Sequence, residues 1–176
     1  DPDAMASGWA ITTLSDEKLG LPTRLVGGGD IVRAENREFV KLLDPPVELL
    51  PSLDDLGESS PAAAVLVDCG PLQSNHLLRD SSVRPVAVID HHKGARKRRQ
   101  LPFQDIRPRV AASATIAASY LREQDIQPSE NLSTALMYAM RTETMGGESF
   151  HSRLDRTIIA WLANSANPER LSEIEN

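Results

Sequence analysis

Pro85-Val86-Ala87-Val88-Ile89-Asp90-His91-His92 is the stretch that decides the fold. Its first five residues are apolar and largely β-branched, the composition of a buried strand. An acid and two histidines leave the end of that strand together. A second run, Ala63-Ala64-Val65-Leu66-Val67-Asp68, has the same form. In open α/β sheets ligands bind beyond the carboxyl ends of the strands. The two runs therefore deliver Asp68, Asp90, His91 and His92 to one edge of a sheet. The predicted class is α/β, a mostly parallel sheet with helices on both faces. Metal-assisted hydrolysis is the leading chemistry for such an edge.

Outward from these runs, strand and helix patterns alternate. Residues 1–14 read as a loop turning into a helix, with Met5, Trp9, Ile11 and Leu14 inward and Asp3 near the helix start. A short strand over 23–26 is closed by Gly27-Gly28-Gly29, a helix covers 36–43, and a weak strand covers 47–50. Residues 54–61 form a polar connection, and 76–79 a short helix. After the histidines, residues 93–99 are a basic loop. Helices follow over 111–124, 131–140 and 154–162, and a last one starts at Pro168, an allowed first-turn position.

The bulk properties narrow the function classes. The chain has 176 residues, about one domain, and a hydrophobic fraction of 40%, well above that of disordered chains. A net charge of −6 argues against a general nucleic-acid-coating protein, although a small anionic substrate is compatible with it. A lone cysteine, Cys69, rules out an intrachain disulfide and suits a reducing, cytoplasmic setting. No run of about 18 apolar residues exists, so no membrane span is expected.

Each candidate has a bland reading beside the functional one. Asp1-Pro2-Asp3 makes an ordinary turn with a helix cap, or offers two carboxylates to metal. Asp68 is a turn residue or a ligand. His91 and His92 form a hydrogen-bonded loop pair or bind metal. Arg96 and Arg98, with Lys93, Lys97 and Arg99, lie on a solvated loop or anchor phosphate. Ser113 and Thr115 cap a helix or bind phosphate at its N-terminus. Their coincidence in one small α/β domain favours the metal reading, with carboxylates and imidazole suiting manganese. Gly27-Gly28-Gly29 lacks the spacing of a phosphate loop.

Taken together, Asp-Pro-Asp-Ala-Met-Ala-Ser at 1–7, Val-Asp-Cys-Gly at 67–70, Asp-His-His at 90–92 and Arg-Thr-Glu-Thr at 141–144 resemble the DHH phosphoesterase superfamily. That superfamily includes RecJ-type exonucleases, nanoRNA and pAp phosphatases, and cyclic-dinucleotide phosphodiesterases. The resemblance implies two manganese ions, with magnesium as the substitute. It implies Asp1, Asp3, Asp68, His91 and Glu143 as metal ligands, Asp68 bridging. It implies His92 facing the substrate phosphate and Asp90 orienting the histidines.

The implied reaction is hydrolysis of short oligonucleotides or phosphorylated nucleotides by activated water, and a homodimer is compatible with it. Three departures stand out. The family's first-motif histidine would precede residue 1. Glu143 stands where the family carries Asp. The second, substrate-binding domain is not within 1–176, so the chain reads as a DHH catalytic domain alone. The competing reading is a non-catalytic nucleotide-binding or regulatory module with a degenerate site.

Overall fold

Residues 1–57, 63–93, 101–145 and 152–175 are described by a computed structural model. The chain opens on helix α1 (Pro2–Leu14), whose cap is Asp1: its carboxylate accepts the Asp3 N–H at 2.8 Å, and Pro2 fills the first turn, where no N–H is required. A single π turn over Ser15–Leu19 ends at Gly20, which adopts the left-handed conformation. Strand β1 (Leu25–Gly28), helix α2 (Ala34–Leu43) and strand β2 (Val47–Leu50) follow as one right-sized crossover unit, and β1 and β2 pair in parallel, Leu25 opposite Val47 through Gly28 opposite Leu50.

The central sheet consists of β3 (Ala64–Val67), β4 (Pro85–Asp90) and β5 (Phe103–Ile106), in that order and all parallel. The two apolar runs are thus neighbours, with Val67 opposite Ile89. Alternation along the strands divides the sheet into two faces. Leu66, Val88 and Ile106 point to one side, where Cys69, Leu78 and Leu101 cover them. Val67 and Ile89 point to the other, against Ile11 of α1, Ile116 and Tyr120 of α3 (Ser113–Glu123), and Leu154 of α5 (Arg153–Leu162).

The main core is helical. Helix α4 (Glu130–Glu143) and the short α6 (Pro168–Glu175) join α1, α2, α3 and α5 around Phe39, Leu121, Leu136, Met140, Ile158 and Leu162. Burying each such side chain contributes about 1.5–3 kcal/mol. Helix α1 runs through this core instead of over it. Its most enclosed residues are small, Ala6 and Ala10, matched by Ala114, Ala117 and Ala118 on α3 and Ala135 and Ala139 on α4. Gly8 allows β1 to come close, because a Cβ there would collide with the Leu25 side chain. Of the expected inward residues only Met5 is buried, and Trp9, Ile11 and Leu14 are half-buried. A helix enclosed by α3, α4 and strands has no single apolar stripe for a periodic count to find.

Other differences from the sequence reading have local causes. Helix α3 starts at Ser113, not at 111, because Ala112 is extended and directs the next N–H groups elsewhere. Helix α4 is longer than 131–140 and ends at Glu143. The short helix over 76–79 is a 3-10 turn, Leu77–Asp80, capped by the His76 imidazole. Strand β5 is not evident in the sequence at all, since Gln104 and Asp105 interrupt its apolar character. No helix among the described residues is long and apolar enough to cross a membrane.

Candidate metal centre

Three chain segments converge at the carboxyl ends of β3 and β4. Asp68 follows β3 in the left-handed conformation, φ 57°, an uncommon state for a residue with a Cβ. The turn aims its carboxylate back across the sheet edge, where Oδ1 accepts the Ser113 hydroxyl at 2.9 Å. Asp3 lies fully buried in the first turn of α1. Its Oδ2 accepts the Ser113 N–H at 2.8 Å and its Oδ1 the Ala114 N–H at 2.7 Å. The N-terminus of α3 is therefore occupied by a protein carboxylate, which satisfies two of its free N–H groups.

His91 and His92 close the site from β4. His91 Nε2 stands 3.6 Å from Asp3 Oδ2 and 3.6 Å from Asp68 Oδ1, and His92 Nδ1 stands 3.7 Å from Asp68 Oδ1. These separations are too long for hydrogen bonds. The two His91 separations suit donors that share a cation, because two donors each about 2.1 Å from one ion lie at most about 4.2 Å apart. Asp68, His91 and His92 each offer a ligand atom within 4.8 Å of the others. Asp90 is buried. Its Oδ1 accepts the His92 N–H at 3.1 Å and lies 2.7 Å from His92 Nδ1, which suits the tautomer protonated on Nδ1 and leaves Nε2 as a free donor atom.

The electrostatics follow from the burial. Burial first, and then the neighbouring Asp68 charge, hold Asp3 well above the usual carboxylate range; the N–H groups of Ala114 and Ser113 oppose the rise. Asp68 is raised mainly by burial as well. For His92, desolvation acts downward, but the Asp90 hydrogen bond and the surrounding carboxylates outweigh it and raise its basicity. Two carboxylates held close together in a buried pocket are a poor arrangement on their own and a good one around a divalent cation. The donor set of carboxylate oxygens and imidazole nitrogens is one that suits a divalent metal cation. Burial pushes the Cys69 thiol up to about 12, so it offers no nucleophile.

The remaining candidates are placed differently. Asp1 is exposed, and its carboxylate caps α1. Glu143 is exposed at the end of α4, near enough for its charge to raise both Asp3 and His92, but no ion pair joins it to either histidine. The Thr115 hydroxyl is buried and donates to Asp155 at 2.7 Å. Ser113 contacts the site through Asp68 and Asp3. Arg96 and Arg98 lie outside the described residues.

Two further groups support this edge, and the bonds that each makes were not legible in the sequence. Asp155 is fully buried and accepts the Ala111 N–H at 3.0 Å, the Thr115 hydroxyl, and both the N–H and hydroxyl of Ser152. It fixes the loop that presents Ser113 and Ala114 to Asp3. Ser152-x-x-Asp155 was its signal, since this is the spacing of a capping box. The other group is Asp105, Arg107 and Tyr120 at the end of β5. Arg107 grips Asp105 through two bonds of 2.8 and 2.6 Å, and the Tyr120 hydroxyl donates to the same carboxylate.

No family profile matches the chain. An uncharacterized protein of Methanocaldococcus jannaschii, MJ1633, is 32% identical over all 176 residues, and the chain spans about a third, 35%, of its length. Among solved structures, the crystal structure of a candidate family II inorganic pyrophosphatase from Methanococcus jannaschii is similar over 97% of this chain and 54% of its own, with a TM-score of 0.65 and 21% identity. Family II pyrophosphatases belong to the DHH phosphoesterase superfamily, and the fold described here is the α/β fold that this neighbour shares.

Proposed function

We propose that this chain is the catalytic part of a metal-dependent phosphohydrolase, acting on phosphate esters of short oligonucleotides or phosphorylated nucleotides. The observation that carries the reading is the convergence of Asp3, Asp68 and His91 on the strand edge, His91 Nε2 standing 3.6 Å from each carboxylate, with His92 beside them. The fold shared with a candidate pyrophosphatase supports phosphoryl chemistry at that edge. Two manganese ions, when bound, supply Lewis acidity and lower the pKa of a coordinated water. Asp3, Asp68 and His91 would hold them, with Glu143 and Asp1 as further ligands.

The chain's own residues do the rest. Asp90 holds the His92 ring through Nδ1, which leaves Nε2 to donate to a phosphoryl oxygen when the ring is protonated. The Ser113 hydroxyl orients Asp68, and the α3 N–H groups position the Asp3 carboxylate and partly offset the effect of its burial. The chain covers about a third of its archaeal relative, so substrate selection by residues beyond 1–176 belongs to the proposal.

A second reading, hydrolysis of inorganic pyrophosphate, is favoured by the solved neighbour alone. The test is release of phosphate or mononucleotide by the full-length protein with manganese, using a short RNA, a 3′,5′-bisphosphorylated nucleoside and pyrophosphate in parallel. Turnover of the first two supports the proposal. Turnover of pyrophosphate alone selects the second reading, and no turnover of any of the three selects a non-catalytic module.

A further inference from the structure

A second charged surface lies away from the carboxylate and histidine cluster. Arg122 stands in the last turn of α3, and Arg153 and Arg156 stand on α5, with Thr157, Ala160 and Trp161 on the same side of that helix. The spacing 153, 156, 157, 160 is that of one helix face. Together these residues line an open groove of about 520 Å³. All three arginines are exposed, and among the described residues none forms an ion pair. Trp161 is half-buried, its ring packed on the core from one side. Glu123 and Asp125 line an adjoining hollow that shares Arg122 and Trp161 with the groove.

We propose that this groove binds the phosphodiester backbone of a single-stranded nucleic acid, with Arg122, Arg153 and Arg156 on phosphates and Trp161 stacking on a base. In a chain of net charge −6, three guanidiniums without ion pairs line this groove, against the Glu123 and Asp125 carboxylates at its Arg122 end, and the α5 pair Arg153 and Arg156 makes a local positive surface that a polyanion complements. Guanidinium forks suit phosphate oxygens, and an aromatic ring among basic residues is the pattern that holds single strands without sequence preference. An anionic membrane would favour a wide apolar face beside the charges, whereas this groove has one ring.

The groove's position fits a substrate grip. The first turn of α3 carries Ser113 at the metal centre, and its last turn carries Arg122, roughly 14 Å along the helix. Helix α5 starts beside the same loop, through Asp155 and Thr115, and carries Arg153 in its first turn. A strand lying along α5 would have its end near the carboxylates. The proposal rests on the phosphohydrolase reading for the choice of polynucleotide over other polyanions. The binding itself needs no metal.

The test is fluorescence anisotropy of labelled single-stranded RNA and DNA with the full-length protein in EDTA, where hydrolysis cannot proceed. The wild type and Asp68→Asn should bind alike, with a slope of log K against log salt of about −2 for three phosphates. The variant Arg153→Glu/Arg156→Glu should bind at least tenfold more weakly and with a flatter slope, while its manganese-dependent hydrolysis of a small chromogenic phosphodiester stays that of the wild type. Unchanged binding in that variant, no binding by the wild type, or equal binding to anionic vesicles or an acidic peptide overturns the proposal. Binding that is lost in the variant, from a protein that hydrolyses no ester, sinks the catalytic reading and leaves the groove standing.

Discussion

Asp68 illustrates how one residue can be a cost to the fold and a requirement of the site. It adopts a left-handed backbone conformation, its carboxylate is largely buried, and it lies beside Asp3, with His91 Nε2 3.6 Å from both carboxylates. Asn is the residue best suited to that conformation after glycine, and it removes the charge. In EDTA, Asp68→Asn should therefore melt at or above the wild-type temperature. With manganese the order should reverse, because only the wild type gains binding free energy in the folded state. Differential scanning fluorimetry with and without the metal reads both halves. A variant destabilised equally in both conditions would mean that the carboxylate serves the fold alone. Glu143 is the milder case. Its exposed position predicts that Glu143→Gln weakens manganese binding less than Asp68→Asn does, by calorimetric titration of both.

At the scale of elements, the start of α3 is held in place by groups from three other segments. Asp3 takes its first N–H groups from α1, Asp68 takes its first hydroxyl from β3, and Asp155 takes the Thr115 hydroxyl and the Ala111 N–H from α5. Truncating Asp155 leaves a buried N–H and a buried hydroxyl without partners. Each such loss costs about 1–3 kcal/mol. Asp155→Ala should therefore lose about 3 kcal/mol in urea unfolding, and Asp155→Asn less. A loss under about 1 kcal/mol would show that the loop finds other partners.

These elements also show what a sequence can and cannot reveal. The runs ending at Asp68 and Asp90 were legible as parallel neighbours, because β-branched apolar residues followed by acids have few other uses. Ser113 and Thr115 were legible as a helix start, yet their partners were not. An anion at that N-terminus could have come from a ligand or from Asp3, and only the threading of α1 past α3 decides for Asp3. Strand β5 was hidden because Asp105 serves Arg107 and Tyr120, so its polar pattern reports a local bond and not exposure. The groove on α5 was hidden because its arginines come from two helices separated in sequence.

Across the whole molecule, pH acts on two carboxylate sets with opposite signs. Burial raises Asp105, but the Arg107 and Tyr120 bonds outweigh it and hold its carboxyl below the usual range. Its stabilisation is complete above the ordinary carboxylate range and is lost as pH falls through the lowered value. Asp3 and Asp68 are raised, so without metal their penalty is absent at acid pH and grows as pH rises through the folded-state values. Metal-free protein should thus lose stability in acid through Asp105, and Asp105→Asn should flatten that acid limb while lowering stability at neutral pH. A chemical-denaturation series in EDTA reads this, and an unchanged acid limb in the variant would contradict it. Manganese should remove the neutral-pH penalty from the other set.

The convergence of Asp3, Asp68 and His91 is a claim about metal, and manganese binding tests it most directly. Electron paramagnetic resonance of the full-length protein titrated with manganese should show tight uptake of two ions with an exchange-coupled signal, as expected for ions about 3.5–4 Å apart. The coupled signal should vanish in both Asp68→Asn and His91→Ala. Uptake no tighter in the wild type than in those variants, or only isolated uncoupled ions, would contradict the account.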